Sequence, residues 1–397
     1  MLLMISNIGW GSKPVKGGSR SPGRTLDPHR HEDRSPRDMK AAVLTEFDGR
    51  PEIADVTVGD ILPQEVRIRT AATGVCHSDR HGQTGGIPSM PIPAILGHEA
   101  AGEVLEVGSQ VTSVRPGDHV VVAPAASCGL CEWCSKGHPQ HCADQGRVRA
   151  PGLGDRLTLD GSGVGQFVGV GSFAEEMMVQ VTAVARIPKE MPLDKAALLG
   201  CAVITGLGAV RHSAQVRFGD TVAVIGCGGV GLSAVQGAAL AGASRIIGID
   251  RMASKLEIAK QFGATDMVDA STTDPVQAVL ELTGGVDHCI EVVGIPATIE
   301  QAFGMLRTRG TATVVGLPHP GDTLSLPASA MLQEKRLQGS RLGGTQLRVD
   351  APLYAEMYLS GRLDLDPLMG STVSLADVGD ALEQIDSSTS ARTIVTF

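Results

Sequence analysis

The chain has 397 residues, of which 42% are hydrophobic, and its mean hydropathy is +0.09. A single hydrophobic core stops growing beyond about 250–300 residues, so we expect two or three domains. The net charge of −9 excludes a nucleic-acid-binding protein that works through a basic face.

Signals for secretion and for a membrane span are weak. The segment up to Trp10 has no basic region, and its apolar core is too short for a signal peptide. Thr221–Ser244 is uncharged, but glycines interrupt it. We therefore expect a cytoplasmic protein that does not enter a membrane. Disulfides are rare in the cytoplasm, so the eight cysteines are interpreted as core residues, metal ligands or nucleophiles.

Residues 1–38 differ from the rest of the chain. They carry seven Lys or Arg residues against four Asp or Glu residues, and they show no apolar periodicity. This composition predicts a disordered extension. Met39 then opens a first strand with the run Met-Lys-Ala-Ala-Val-Leu.

Residues 39–202 alternate short β-type runs with Gly and Pro turns, which predicts an all-β region. The expected strands include Glu65–Ala71, Ala101–Val107, His119–Ala123 and Ala174–Val179.

A cysteine-rich insert interrupts this β region. Its four thiols have the spacing C-x2-C-x2-C-x7-C, at Cys128, Cys131, Cys134 and Cys142. Four thiolates suit a closed tetrahedral zinc site, which is structural and not catalytic. An iron–sulfur cluster and free thiols without metal are the alternatives, although the usual bacterial cluster motif continues with x3-Cys-Pro.

Residues 203–342 change to a β-α-β-α rhythm. The expected strands are Thr221–Ile225, Arg245–Ile249, Val286–Val293 and Thr311–Val315, with helices such as Val230–Ala241 and Ala253–Phe262. Asp274 and Pro275 are typical of a helix start. Such alternation predicts a doubly wound parallel sheet. We expect the remaining residues, 343–397, to return to the first domain.

A glycine-rich turn lies between the first expected strand and helix of this second region. It reads Gly226-Cys-Gly228-Gly229-Val230-Gly231. Strand, turn and helix together favour a dinucleotide site in which the helix N-terminus faces the pyrophosphate. Asp250 ends the next strand, where a carboxylate accepts hydrogen bonds from the adenosine ribose and repels the 2′-phosphate of NADP. Arg251, next to it, is able to hold such a phosphate.

The order of these motifs resembles that of the zinc-containing alcohol dehydrogenases of the medium-chain dehydrogenase/reductase superfamily. The resemblance runs from about Met39 to Phe397 and includes the sequences Cys-His-Ser-Asp from Cys76 and Gly-His-Glu from Gly97, the four-cysteine insert and Cys201 before Thr205-Gly206. It implies a fold of the class α/β plus β, with a GroES-like catalytic domain at 39–202 and 343–397 and a Rossmann domain at 203–342.

The resemblance also implies the residues of the active site. Cys76, His98 and Cys201 match the ligands of a catalytic zinc, so two zinc ions per chain are expected. Glu99 matches a residue behind the metal that can ligate it transiently, and Asp79 matches a carboxylate that orients His98. Ser78 matches the hydroxyl that receives the proton of the substrate, and His81 matches the outer end of that relay.

Further matches concern the cofactor, for which NAD is expected. His77 and Arg392 match cations that hold the pyrophosphate, and Lys255 matches a ribose contact. Gly316 and Leu317 match backbone that holds the carboxamide. The expected reaction is reversible hydride transfer between a primary alcohol or its aldehyde, as a small-molecule substrate, and NAD.

Two departures from the family pattern bear on the substrate. Pro124 stands where the family usually has a bulky aromatic residue, which predicts a wide pocket for bulky or long-chain primary alcohols. Glutathione-dependent formaldehyde dehydrogenases are similar, but they have acidic residues in the stretch matching Gly82–Met90 and an Arg at the position of Gly146. A formaldehyde dehydrogenase that uses another thiol adduct stays an alternative, as does a non-catalytic binding protein.

The segment 143–173 resembles the longer loop of the dimeric branch, so we expect a homodimer.

Overall fold

A computed structural model of the chain describes residues 37–87, 90–149, 156–385 and 391–397. Its first strand begins at Arg37, two residues before the predicted start at Met39. Residues 1–36 of the predicted extension lie outside the described residues, as do 88–89 and residues 150–155 of the long loop.

The strands form three sheets, and each of the nine predicted strands overlaps one of them. In chain order they are β1 Arg37–Leu44, β2 Glu52–Val58, β3 Glu65–Val75, β4 Ala94–Ile95, β5 Glu99–Val107, β6 His119–Val122, β7 Leu157–Leu159, β8 Ser162–Gly163, β9 Gly165–Gln166, β10 Glu176–Gln180, β11 Val184–Arg186, β12 Thr221–Ile225, β13 Arg245–Asp250, β14 Asp266–Asp269, β15 Val286–Glu291, β16 Leu306–Val314, β17 Arg336–Gly339, β18 Met369–Ser374 and β19 Arg392–Thr396.

The helices are concentrated after residue 192. In chain order they are α1 His77–Gln83, α2 Glu132–Ser135, α3 Gln145–Arg149, α4 Leu193–Ala197, α5 Ala202–Gly208, α6 Gly229–Leu240, α7 Ala253–Gln261, α8 Pro275–Thr283, α9 Pro296–Gly304, α10 Leu347–Leu359 and α11 Val378–Glu383, with a π-helical continuation of α5 at Ala209–Ala214 and short 3₁₀ turns at Pro139–His141, Phe167–Gly169, Val181–Ala183, Leu198–Gly200, Ala328–Gln333, Leu342–Gly344, Asp366–Leu368 and Leu375–Asp377.

A parallel six-stranded sheet carries the β-α-β region. Its strand order is β14-β13-β12-β15-β16-β17. The chain winds outward in both directions from β12 and β15, so a crevice opens at the carboxyl ends of these strands, where open α/β sheets bind ligands. Asp274 caps α8 as predicted, since its Oδ1 accepts a hydrogen bond from the Val276 N–H at 2.9 Å.

The β region consists of two further sheets. One has the order β8-β7-β2-β1-β4-β9, and the other has the order β11-β6-β5-β3-β19-β18 with β10 also paired to β3. Strand β19 pairs with β3 in antiparallel register, with Thr393 opposite Val75. The last residues of the chain therefore return to the first domain, as the sequence indicates.

No single helix in the described part of the chain is long and apolar enough to cross a membrane. One bent pair of helices, Leu193–Gly200 with Ala202–Ala214, reaches that length and apolar composition when the two are taken together.

Candidate active site

Cys76, His98 and Cys201 come together at the ends of two strands and one helix. Cys76 follows β3, His98 precedes β5, and Cys201 precedes α5. Strands β3 and β5 pair with Gly74 opposite Glu99, which makes the first two donors neighbours. The two sulfurs and a ring nitrogen lie within 4.8 Å of one another, and all three side chains are buried.

Gly200, which sequence reasoning missed, lets Cys201 approach the other two donors. A Cβ on Gly200 would lie 2.5 Å from the carbonyl oxygen of Val122 and 2.9 Å from the backbone nitrogen of Ala100. Any larger residue would push Cys201 away from β5. A glycine directly before a candidate ligand is the signal that could have found it.

Asp79 orients two of the three donors. Its Oδ1 lies 2.8 Å from Nδ1 of His98, and its Oδ2 accepts a hydrogen bond from the backbone N–H of Cys76 at 2.9 Å. Burial acts to lower the pKa of His98, but the carboxylate of Asp79 outweighs it and holds that pKa well above its usual value. With Nδ1 directed to Asp79, Nε2 is the nitrogen left to face a metal.

Glu99 and Arg392 form a buried ion pair behind the three donors. Glu99 Oε2 lies 3.3 Å from Arg392 Nε, and Glu99 Oε1 accepts a hydrogen bond from the Ala202 N–H at 3.0 Å. Burial raises the pKa of Glu99 to about 7, although the charge of Arg392 opposes that shift. The transient ligation of a metal by Glu99 stays a prediction.

Phe167 lies against His98 and was not predicted. The two ring centroids are 5.6 Å apart with an interplanar angle of 72°, an edge-on contact. The next residue, Val168, has φ 47° and ψ 25°, a left-handed conformation that is strained for a β-branched side chain. The segment 143–173 therefore supplies an aromatic ring at this centre, whereas Pro124 does not.

The predicted proton relay lies on α1. Ser78 and His81 are three residues apart on this helix, a spacing that puts two side chains on one face. Both side chains are partly exposed, in contrast to the buried Asp79 between them. His77, predicted to hold the pyrophosphate, is the first residue of α1 and is exposed.

The donor set fits a zinc ion. Two thiols and one imidazole with an open fourth direction are the ligands of a catalytic zinc. The Cys201 thiol donates to Cys76 and, together with the nearby charge of Arg392, lowers the pKa of Cys76, which favours the thiolate that a metal requires.

The four-cysteine insert forms a second cluster. The sulfurs of Cys128, Cys131, Cys134 and Cys142 also lie within 4.8 Å of one another. Backbone N–H groups point at these sulfurs, as from Cys131 to Cys128 at 3.3 Å and from Ala143 to Cys131 at 3.4 Å. Hydrogen bonds of this kind lower the pKa of Cys131 to about 6. Four converging sulfurs suit structural zinc.

The glycine-rich turn lies where β12 ends and α6 begins. Gly226 has φ 93°, and a Cβ on Gly231 would lie 1.7 Å from the carbonyl oxygen of Gly226. A Cβ on Gly229 would meet Nη2 of Arg392 at 2.9 Å, whereas Gly228 faces open space. The turn therefore leaves room for a phosphate at the N-terminus of α6, with a guanidinium beside it.

Asp250 faces the same turn from the end of β13. Its Oδ2 accepts the Cys227 N–H at 2.7 Å, and its Oδ1 accepts the Met252 N–H at 2.9 Å. Burial is the main cause that raises the pKa of Cys227 to about 12; the charge of Asp250 adds to this shift, and that of Lys255 opposes it. Asp250 and Lys255 therefore both act on Cys227, and their contact with one ribose stays a prediction.

Gly316 and Leu317 follow β16 at the same edge of the sheet. A Cβ on Gly316 would lie 2.2 Å from the backbone nitrogen of Gly294, and Leu317 is 51% exposed. Glu291, which sequence reasoning missed, is fully buried and accepts the N–H groups of Val293 and Gly294, both at 2.8 Å. It fixes the loop that packs against Gly226.

Two family models and a known relative match most of this chain. The model of the alcohol dehydrogenase GroES-like domain matches residues 62–189, and that of zinc-binding dehydrogenases matches residues 229–356. The chain is 37% identical to an S-(hydroxymethyl)glutathione dehydrogenase of Photobacterium damsela subsp. piscicida, over 90% of this chain and 100% of the relative.

Solved structures of similar fold cover nearly the whole chain. Benzyl alcohol dehydrogenase from Acinetobacter calcoaceticus has a TM-score of 0.84 at 29% identity, covering 91% of this chain and 99% of the other. A dehydrogenase from Sinorhizobium meliloti 1021 bound to NADP has a TM-score of 0.77 at 29% identity, with the same coverage. The chain therefore belongs to the zinc-containing alcohol dehydrogenases of the medium-chain dehydrogenase/reductase superfamily, and it is an oxidoreductase that uses zinc and a nicotinamide cofactor.

Proposed function

We propose that this enzyme oxidises a primary alcohol to its aldehyde with NAD, reversibly, in the cleft between Cys201 and the glycine-rich turn. The observation that carries the proposal is the position of Arg392. Its guanidinium contacts Glu99 behind the three metal donors and also lies against Gly229 at the start of α6. A metal centre and a pyrophosphate site that share one side chain are close enough for a hydride to pass between their ligands.

The residues of the chain divide the chemistry between them. Bound zinc supplies a Lewis acid that lowers the pKa of an alcohol, and bound nicotinamide supplies the hydride acceptor. Ser78, next but one to Cys76, accepts the hydroxyl proton of the substrate. His81, one helical turn further along α1, passes the proton outward to solvent. Both are partly exposed, as a path to solvent requires.

We propose NAD and not NADP as the cofactor. The carboxylate of Asp250 is fixed by two backbone N–H groups at the end of β13. A fixed negative charge beside the ribose repels a 2′-phosphate, at a cost of several kcal/mol. Arg251 is exposed beside it. Because Asp250 repels the 2′-phosphate, Arg251 pairs with that phosphate only once the charge of Asp250 is removed.

A bulky or long-chain alcohol is the proposed substrate class. Pro124 presents a small ring at a position that is usually aromatic in the family, and each methylene that enters an apolar channel adds about 0.8 kcal/mol of binding. The similar structure from Acinetobacter calcoaceticus is that of a benzyl alcohol dehydrogenase, which supports a substrate of this size. Phe167 forms the aromatic wall beside His98.

A thiol-adduct formaldehyde dehydrogenase is the second candidate. It is favoured by the name of the relative from Photobacterium damsela, an S-(hydroxymethyl)glutathione dehydrogenase. Gly146 and the uncharged stretch from Gly82 to Met90 speak against glutathione itself.

A substrate panel separates the two candidates. The absorbance of NADH is followed with ethanol, n-hexanol and benzyl alcohol, and with formaldehyde in the presence and absence of low-molecular-weight thiols. We expect kcat/KM to rise by more than about tenfold from ethanol to hexanol, since about four methylenes at fourfold each are added. Pro124→Phe should flatten this rise. Turnover of formaldehyde only in the presence of a thiol would favour the second candidate, and equal efficiency for ethanol and hexanol would contradict the wide pocket.

A further inference from the structure

A cavity of about 220 Å³ lies between the zinc-binding insert and the last strand of the parallel sheet. Its walls are rich in hydrogen-bond donors. The insert contributes His138, Gln140 and His141, and the opposite wall contributes His212, Ser340 and Arg341. No Asp or Glu lines the cavity within the described ranges.

The guanidinium of Arg341 is held in place at this cavity. Its Nη2 donates to Oε1 of Gln145 at 2.7 Å, and Nε2 of Gln145 donates to the carbonyl oxygen of Gln140 at 3.0 Å. The side-chain amide of Gln145 thus connects the arginine to the backbone of the insert at Gln140. An arginine is always charged and presents several donors in a fixed plane, which suits a carboxylate or a phosphate.

A buried polar group in the same wall lacks a partner. The side chain of Gln140 is 5% exposed, and its Oε1 has no hydrogen-bond partner among the described residues. An unpaired buried polar atom is costly, and an amide can rotate to present either its oxygen or its N–H groups. Because Gln140 lines the cavity, a rotation of its side chain would pair this amide with a ligand there.

The cavity lies at the ligand-binding edge of the parallel sheet. Strand β17 runs parallel to β12 through the strands between them, and it ends at Gly339, directly before Ser340. Ser340 therefore lies at the same edge of the sheet as the glycine-rich turn that follows β12. The helical run Ala202–Ala214 begins next to Cys201 and passes His212 in the cavity wall. His212 is ten residues beyond Ala202, which spans at most about 15 Å at the α-helical rise of about 1.5 Å per residue, because Ala209–Ala214 is π-helical and rises less. An extended substrate has this reach.

We propose that this cavity binds a carboxylate or phosphate group at the far end of the substrate, with Arg341 as the specificity-determining residue. The inference rests on the proposed function and narrows it, since the substrate becomes an alcohol, or a hydroxymethyl thiol adduct, that carries an anionic tail. Asp350 contacts this wall through His212, with which it is paired at 3.0 Å, and it is also paired with Arg211 at 3.5 Å. It does not compete for Arg341.

Kinetics with matched substrates test the proposal. ω-Hydroxydodecanoate is compared with n-dodecanol, and the ratio of their kcat/KM values is measured. We expect the ratio to exceed one and to fall about tenfold in Arg341→Gln, mainly through the KM of the acid, because one charge-assisted hydrogen-bonding partner is lost. Arg336→Gln removes the same charge from an exposed position at the start of β17, and it should leave the ratio unchanged.

A binding measurement does not depend on turnover. Trp133 lies beside the cavity, with its ring 6.2 Å from that of His141. In a Trp10→Phe background, ω-hydroxydodecanoate should change the fluorescence of Trp133 with saturation, and Arg341→Gln should remove the change. An unchanged kinetic ratio in Arg341→Gln would overturn the proposal, as would binding of inorganic phosphate without any preference for the hydroxy acid in turnover. Loss of all alcohol oxidation with the fluorescence response intact would instead contradict the proposed function.

Discussion

Asp79 is the side chain on which the geometry of the catalytic zinc site depends most. Its carboxylate contacts Nδ1 of His98 and the backbone N–H groups of Cys76 and Gly97. It therefore fixes one ligand ring and the chain segments that carry two ligands. Carboxylates in this position typically contribute 10–100-fold in metal affinity.

We expect Asp79→Asn to lower the zinc affinity of the catalytic site by about 10–100-fold, since the amide no longer provides a charged acceptor for His98. Elemental analysis after dialysis against a weak chelator should find about one zinc per chain instead of two. Asp118→Asn is the matched control, because Asp118 is also buried and accepts a backbone N–H, that of Arg115, in a turn of the same domain. Two retained zinc ions in Asp79→Asn would contradict this role.

Asp250 is the residue that we propose to set the choice between NAD and NADP. Asp250→Asn keeps an oxygen for the N–H of Cys227 and removes the charge, so we expect the preference for NAD over NADP in kcat/KM to fall by about tenfold or more. Arg251 is then free to pair with the 2′-phosphate. Asp269 ends the neighbouring strand β14 and provides the control substitution Asp269→Asn. An equal or higher kcat/KM for NADP in the unmodified enzyme would show that Asp250 does not discriminate.

At the scale of elements, the zinc-binding insert has little packing of its own. Its helix α2 has four residues and none of them is buried, and Leu130 beside it is 88% exposed. Bound metal must therefore supply much of its stability, because metal binding to a folded site adds directly to the folding free energy.

We expect Cys134→Ser to lower the melting temperature by several degrees and to release one zinc ion, since about 1 kcal/mol corresponds to about 2–4 °C in domains of this size class. Differential scanning fluorimetry and elemental analysis measure the two effects. Ser135→Ala, at the exposed neighbouring position, should change neither. An unchanged melting temperature in Cys134→Ser would mean that the insert is held by its protein contacts alone.

Local patterns predicted the elements better than they predicted the site. The glycine turn, its flanking strand and helix, and the cap at Asp274 each depend on neighbouring residues, and the structure contains all of them. The ligand set of the catalytic zinc comes from three distant segments, and only the family resemblance joined them. Phe167 approaches His98 through the path of a long loop, for which no periodic pattern exists.

At the scale of the whole molecule, the parallel sheet ends in a strand that offers an edge for association. Strand β17 is the last strand of the sheet, and an edge strand presents backbone N–H and carbonyl groups to another chain. The turn that precedes it exposes Met331 by 49% and Leu332 by 89%. Exposed apolar residues next to an open edge are typical of an interface.

We predict a homodimer that forms through the β17 edge. The resemblance of the 143–173 loop to that of the dimeric branch also favours a dimer. Light scattering coupled to size-exclusion chromatography should give twice the monomer mass of 41.2 kDa. Leu332→Glu should shift the population toward monomer, because it places a charge in an apolar contact that would be desolvated. Phe218 is 90% exposed in a different part of the chain, so Phe218→Glu should leave the dimer intact. A monomer or a tetramer for the unmodified protein would contradict the dimer, and a dimer that survives Leu332→Glu would move the interface away from β17.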